Sequence, residues 1–118
     1  MTHTILVAED AYIDGVDICD TCEEIGYLVE GPHDGLSSAM LALQKERPDL
    51  AILDYAMGEA PLFALAQKLS EENVPIIFHA DTQARADLAL RFPLAATLPK
   101  PCPPAHFIST VNRMLAGV

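Results

Sequence analysis

Three carboxylates and one lysine of this chain stand where short apolar runs end, and each is of a type that does chemistry. The clearest case is Leu50-Ala51-Ile52-Leu53-Asp54-Tyr55-Ala56-Met57-Gly58, an apolar run that meets an aspartate and closes on a glycine. A short apolar run bounded by breakers reads as a strand buried on both faces of a parallel sheet. Pro48-Asp49 marks its entrance and Gly58 its exit. Asp54 is therefore delivered to the carboxyl end of a strand, where open α/β sheets place their ligands. A carboxylate in that place is a candidate nucleophile or metal ligand.

The same reading ends a strand over 4–8 on Glu9-Asp10, one over 75–79 on His79-Ala80-Asp81, and a weak one over 95–98 on Pro99-Lys100-Pro101. These ends gather around one crevice, so Glu9, Asp10 and Asp54 converge with Lys100. At an effective dielectric near 20 and a separation of about 5 Å, each like-charge pair costs roughly 3 kcal/mol. Such a cluster must raise its pKa values or take a cation. A set of oxygen ligands with open positions suits Mg²⁺ better than zinc.

The elements that must position these groups follow from the pattern of apolar residues. Residues 11–25 have helical spacing, with Ala11, Gly15, Ile18, Cys22 and Ile25 on one stripe, and Gly26 ends them. A second strand is expected over 27–31. A helix follows over 36–47, with Ala39, Met40 and Leu43 inward, and Pro48 stops it. Further helices are expected over 60–72, 83–91 and 103–116, the last presenting Phe107, Ile108, Val111 and Leu115 to the core. Strand and helix alternate five times through short connections, which selects an α/β, doubly wound five-stranded parallel sheet with helices on both faces. Right-handed crossovers leave few topologies. No repeat, linker or low-complexity tract interrupts the pattern, so residues 1–118 read as one domain.

Composition narrows the classes of function. Of the 118 residues, seven are basic and seventeen acidic, giving a net charge of −10. Phosphate backbones would be repelled, which argues against nucleic acid and suits a basic protein surface or a divalent cation. The start of the chain has no basic leader and no stretch is long and apolar enough for a membrane span, so a cytoplasmic protein without membrane contact is expected. Three cysteines do not make a disulfide framework.

With these residues in place, the chain resembles the receiver domain of two-component response regulators over essentially its whole length. The resemblance is carried by Glu9-Asp10 after the first strand, Asp54 ending the third and Lys100-Pro101 after the fifth. Gly26-Tyr27 after the first helix and Pro48-Asp49-Leu50 before the third strand agree with it. It implies a flavodoxin-like sheet of order 2-1-3-4-5 and a phosphoryl group accepted on Asp54 from a histidine kinase or phosphotransfer protein. It further implies Mg²⁺ on Asp10, Asp54 and the backbone carbonyl of Ala56, with Glu9 acting mainly through water. Lys100 would pair with the phosphoryl oxygens, and the Lys100–Pro101 peptide would be cis. Phosphoryl transfer needs an in-line nucleophile and cations to neutralise the moving oxygens, and these roles supply both.

The departures from that family are as informative. Its signalling Thr or Ser falls on Ala80, its aromatic switch residue on Thr97, and the usually small residue after the missing hydroxyl is Asp81. A hydrogen bond to a charged group is worth about 1.5–3 kcal/mol, roughly tenfold to a hundredfold in a two-state equilibrium. Chemistry at Asp54 is expected to survive this loss while coupling to the surface weakens, and Asp81 would repel a phosphoryl group if it turned inward. Leu98-Pro99-Lys100-Pro101 without the aromatic residue is similar to a subgroup of short receivers known mainly from alphaproteobacteria.

Several residues have plainer readings. Cys19-Asp-Thr-Cys22 has redox spacing but lies within a helix among acids, so Cys22 reads as core and Cys19 as flanking it. His79 reads as a strand-end histidine with a minor claim to proton or metal contact. Asp10 can also cap the first helix. Other enzymes on similar sheets fall away: a dehalogenase-type phosphatase wants an aspartate where Ala56 stands, and no G-x-x-x-x-G-K-[ST] loop is present. Two readings remain. One is a stand-alone phosphoacceptor receiver that acts through a kinase and a downstream protein target. The other is a degenerate receiver serving as a phosphorylation-independent interaction module.

Overall fold

The computed structural model describes residues 2–9 and 12–116, with only the backbone described for 12–15 and 82. Five strands, β1 (Thr4–Ala8), β2 (Leu28–His33), β3 (Leu50–Asp54), β4 (Ile76–His79) and β5 (Ala96–Leu98), alternate with five helices. The helices are α1 (Tyr12–Glu24), α2 (Leu36–Lys45), α3 (Glu59–Glu71), α4 (Thr82–Arg91) and α5 (Pro104–Ala116). All strand pairs are parallel and the sheet order is β2-β1-β3-β4-β5. This is the doubly wound flavodoxin-like arrangement expected from the sequence.

Alternation along the strands divides the core into two layers. Leu6, Ala8, Ala51, Leu53, Ile76 and Phe78 face α2, α3 and α4, where Leu43, Leu62, Leu65, Leu69 and Leu88 meet them. Ile5, Val7, Leu50, Ile52, Ile77 and Leu98 face α1 and α5, where Cys19, Cys22, Phe107, Val111 and Leu115 cover them. β3 is buried at all five positions, which is why it reads as an unbroken apolar run. Cys19 belongs to this core, at 4% exposure, rather than flanking it. No helix among the described residues is long and apolar enough to cross a membrane.

Chain punctuation fixes where the elements stop. Gly26, at φ +102°, closes α1: its N–H bonds the Glu23 carbonyl at 3.0 Å and the Tyr27 N–H bonds the Cys22 carbonyl at 3.1 Å. α2 ends at Lys45, two residues before the expected limit, because Glu46 turns to an extended conformation and Pro48 disfavours helix at its predecessor. Arg47 is thereby freed to bond the carbonyls of Glu72 and Asn73 at 2.8 and 3.0 Å, which ties the end of α2 to the end of α3.

β2 runs past its expected end to His33. The register against β1 shifts between Leu6 and Ala8, at a bulge containing Gly31 and the cis Gly31–Pro32 peptide. Gly31 has φ +134°, and a Cβ there would lie 2.5 Å from the Val7 carbonyl oxygen, so only glycine fits. Because β2 is an edge strand, Pro32 costs it no ladder bond. Beyond the bulge the Glu9 N–H donates to the His33 carbonyl at 3.0 Å, holding the residue that follows β1 against the sheet edge.

Candidate functional site

The period of two that sorts the core also sorts the residues at the strand ends. Glu9 shares parity with Ile5 and Val7, Asp54 with Leu50 and Ile52, and His79 with Ile77, so all three project toward the α1 and α5 side. The β3–β4 register pairs Asp54 directly with His79, and the β4–β5 register pairs His79 with Leu98, two residues before Lys100. Parity and register together bring Glu9, Asp54, His79 and Lys100 to one place. Asp10, expected beside them, lies outside the described residues.

Asp54 is fully buried. Its Oδ1 accepts the Ala56 N–H at 3.0 Å as the chain enters a single 3-10 turn over Tyr55–Met57, and it also accepts from the Lys100 ammonium. Lys100 reaches it from the β5–α5 connection, where the Lys100–Pro101 peptide is cis, as the resemblance implied. The ammonium's side chain is 28% exposed, so the pair links a dry carboxylate to the surface.

Glu9 is 1% exposed, and its Oε1 lies 2.9 Å from His79 Nδ1. Burial pushes its carboxyl up to about 7; the His79 hydrogen bond pulls against that rise, while the neighbouring Asp54 carboxyl adds to it. For Asp54, burial also works upward, but hydrogen bonds from Glu9, Lys100 and the Ala56 N–H outweigh it and hold the carboxyl below its ordinary value. Below about pH 7 the proton of the pair therefore sits on Glu9, and Asp54 stays ionised. An ionised carboxylate kept dry and aimed at the sheet edge can act as a nucleophile or hold a cation.

Glu9 Oε2 is buried without a hydrogen-bond donor. Among the described residues no three His, Cys, Asp or Glu side chains are grouped so as to hold a metal ion. The oxygens of Glu9 and Asp54 are nevertheless a donor set for a hard divalent cation, and a buried oxygen lacking a donor is what such an ion or its water would satisfy.

The positions expected to transmit a signal are apolar or turned away. Ala80 is fully buried, with its N–H on the Leu98 carbonyl at 3.0 Å, and brings no hydroxyl. Thr97 is half-buried in β5. Asp81 does not turn inward: its Oδ1 accepts the Ala84 N–H at 3.0 Å and caps α4. Ala56 contributes its N–H to Asp54, as above.

Sequence reasoning missed the Glu9–His79 bond, which joins residues 70 positions apart. Strand parity, which puts residues 9 and 79 on the same side of the sheet, is the sequence signal that pointed toward it. It also passed over His33, which bonds Ser38 Oγ through Nδ1 and Glu30 through Nε2, tying the end of β2 to α2. Burial pushes the Cys19 thiol up to about 11 and the Cys22 thiol to about 12, so neither presents a thiolate near neutrality.

Beside the acidic site opens a cleft of about 500 Å³ between α1 and the β5–α5 connection. Asp17, Ile18 and Thr21 form one wall, Cys102, Pro104 and Phe107 the other, and His79 and Lys100 lie where it meets the site. A group entering there meets the Lys100–Asp54 pair.

No protein-family model matches the sequence, and no curated protein sequence matches it. Among solved structures, the chain is similar to a signal receiver domain of a signal transduction histidine kinase from Syntrophus aciditrophicus, at 28% identity and a TM-score of 0.83 over 99% of this chain and 92% of that one. It is similar to a response regulator receiver protein from Sinorhizobium medicae at 26% identity and a TM-score of 0.85, covering 98% and 95%. The Vibrio cholerae chemotaxis protein CheY4 shares the fold at 21% identity and a TM-score of 0.83, covering 98% and 100%.

Proposed function

We propose that this chain, which has the fold of response regulator receiver domains, accepts a phosphoryl group on Asp54 from a histidine kinase or phosphotransfer protein and signals by binding a downstream protein. The observation that carries this reading is the pairing of a fully buried, ionised Asp54 with the Lys100 ammonium at the carboxyl edge of β3. A carboxylate in that setting has no packing role that an apolar residue would not serve better.

In the reaction, a carboxylate oxygen of Asp54 attacks phosphorus as the bond to the donor's histidine nitrogen breaks; the donor ring, protonated on its other nitrogen, keeps the bonding pair and departs as neutral imidazole, leaving an acyl phosphate on Asp54. Lys100, now on Asp54 Oδ1, shifts to the phosphoryl oxygens and neutralises part of their charge. The Ala56 N–H keeps the remaining carboxylate oxygen oriented. The cleft between α1 and the β5–α5 connection gives the donor an approach from the side on which Lys100 stands.

The buried oxygens of Glu9 and Asp54 suit Mg²⁺, which the resemblance would place on Asp54, Asp10 and the Ala56 carbonyl with Glu9 through water; when bound, the ion would supply positive charge to the phosphoryl oxygens and the acid cluster. Acidic net charge favours a basic protein partner over nucleic acid.

A second reading, a phosphorylation-independent interaction module, draws on Ala80. Without its hydroxyl the phosphoryl group would lack the contact that couples it to the surface. Incubation with Mg²⁺ and a small acyl phosphate separates the two. The first reading predicts a base-labile modification that vanishes in Asp54→Asn and weakens strongly in Asp10→Asn. An unmodified wild type, with small donors and kinases alike, would overturn the first and favour the second.

A further inference from the structure

His79 occupies the last position of β4, directly opposite Asp54 in register. Its imidazole is 13% exposed, and its Nδ1 has one partner, Glu9 Oε1, at 2.9 Å. Glu9 is among the most deeply buried groups of the site, and the other oxygen of its carboxyl, Oε2, lacks a donor. A carboxyl with one oxygen fixed and the other buried and unsatisfied is half of a prepared ligand. The imidazole determines which half.

We propose that His79 is a positioning residue for the cation site: its Nδ1–H holds Oε1 of Glu9 and so leaves Oε2 directed to the ion, or to the water that the ion carries. The inference rests on the Mg²⁺ reading of the site given above. Outer partners of this kind fix the rotamer of a ligand and prevent it from folding back on a competing donor. Lys100 is that competing donor here, since its ammonium already lies on Asp54 Oδ1 beside the Glu9 carboxyl. An apolar residue at 79 would leave Glu9 free to turn toward Lys100, and the two acids would no longer face a shared ion. The cost of burying a polar ring at the end of an otherwise apolar strand, Ile76-Ile77-Phe78, is then explained by what it orients.

The test is an NMR titration of the whole protein with MgCl₂, following amides around residue 54, in the wild type, His79→Leu and His79→Gln. The proposal expects Mg²⁺ to bind His79→Leu about tenfold to a hundredfold more weakly. His79→Gln should recover much of the affinity, because its amide N–H can still donate to Glu9. In the cation-free wild type, ring ¹⁵N shifts should report Nδ1 as the protonated nitrogen. Equal affinity in the wild type and His79→Leu, or a ring protonated only at Nε2, overturns the proposal while leaving the phosphoacceptor reading intact. A wild type that binds no Mg²⁺ overturns the cation reading, and this inference with it. If His79→Leu does not fold, His79→Val replaces it and the same comparison with His79→Gln decides.

Discussion

Replacing Glu9 by glutamine should make the cation-free protein more stable, and only at the alkaline end of its range. The carboxyl is buried and held up at about 7 from an ordinary 4.5. In the folded state it therefore keeps its proton over a pH interval in which the unfolded chain has lost it. The associated stability is fully present below about 4.5 and is lost as pH rises through about 7. At about 1.4 kcal/mol per pKa unit, the whole loss is up to about 3 kcal/mol. Glutamine has the same shape, accepts from His79 Nδ1 through its carbonyl and never ionises. The difference in unfolding free energy between Glu9→Gln and the wild type should therefore grow by about 2–3 kcal/mol between pH 4.5 and pH 8. Urea denaturation with a chelator present, at half-unit pH steps, measures it. Mg²⁺ at pH 8 should restore much of the wild type's deficit, since a ligand of the folded state adds RT ln(1 + [L]/Kd), and should act far less on Glu9→Gln. Parallel stability curves for the two proteins across that range would refute the placement of Glu9 as a buried acid that ionises within the site.

Two further substitutions test the frame around the site. Gly31→Ala puts a Cβ 2.5 Å from the Val7 carbonyl oxygen at a φ of +134°. It should cost about 2 kcal/mol or more, read as a large fall in Tm, and a change of a degree or less would contradict the bulge. Asp81→Ala removes the side-chain cap of α4 and should cost about 1 kcal/mol by denaturation. It should leave the rate of modification at Asp54 within about twofold, because Asp81 faces α4; a marked acceleration would mean that Asp81 repels the incoming phosphoryl group after all.

Much of the site was legible because it lies at the ends of strands. β3 is buried on both faces, so its sequence has no polar residue until Asp54, and the break in character marks the sheet edge without any knowledge of partners. Lys100 was legible for a similar reason, standing between prolines after β5. What the sequence could not supply was the register between strands. Glu9 and His79 meet because β1, β3 and β4 are aligned within one residue, and that alignment is set by core packing across the whole sheet. The extent of β2 was hidden by Gly31-Pro32, which reads as a stop and proves to be a bulge on an edge strand, where a missing N–H is harmless. Cys19 was placed beside the core rather than in it because one helical stripe was drawn through Cys22. α1 in fact buries the wider face that includes both cysteines. Asp81 was legible as a charge but not as a cap, since its direction depends on where α4 begins.

The central claim is that a carboxylate oxygen at position 54 attacks phosphorus. The most direct measurement is to expose the protein to Mg²⁺ and a small acyl phosphate, reduce with borohydride, and sequence the peptides by mass spectrometry. An acyl phosphate on an aspartate becomes homoserine, so the account predicts homoserine at position 54 and at no other aspartate. Homoserine at another acidic position, with residue 54 still aspartate, would contradict it.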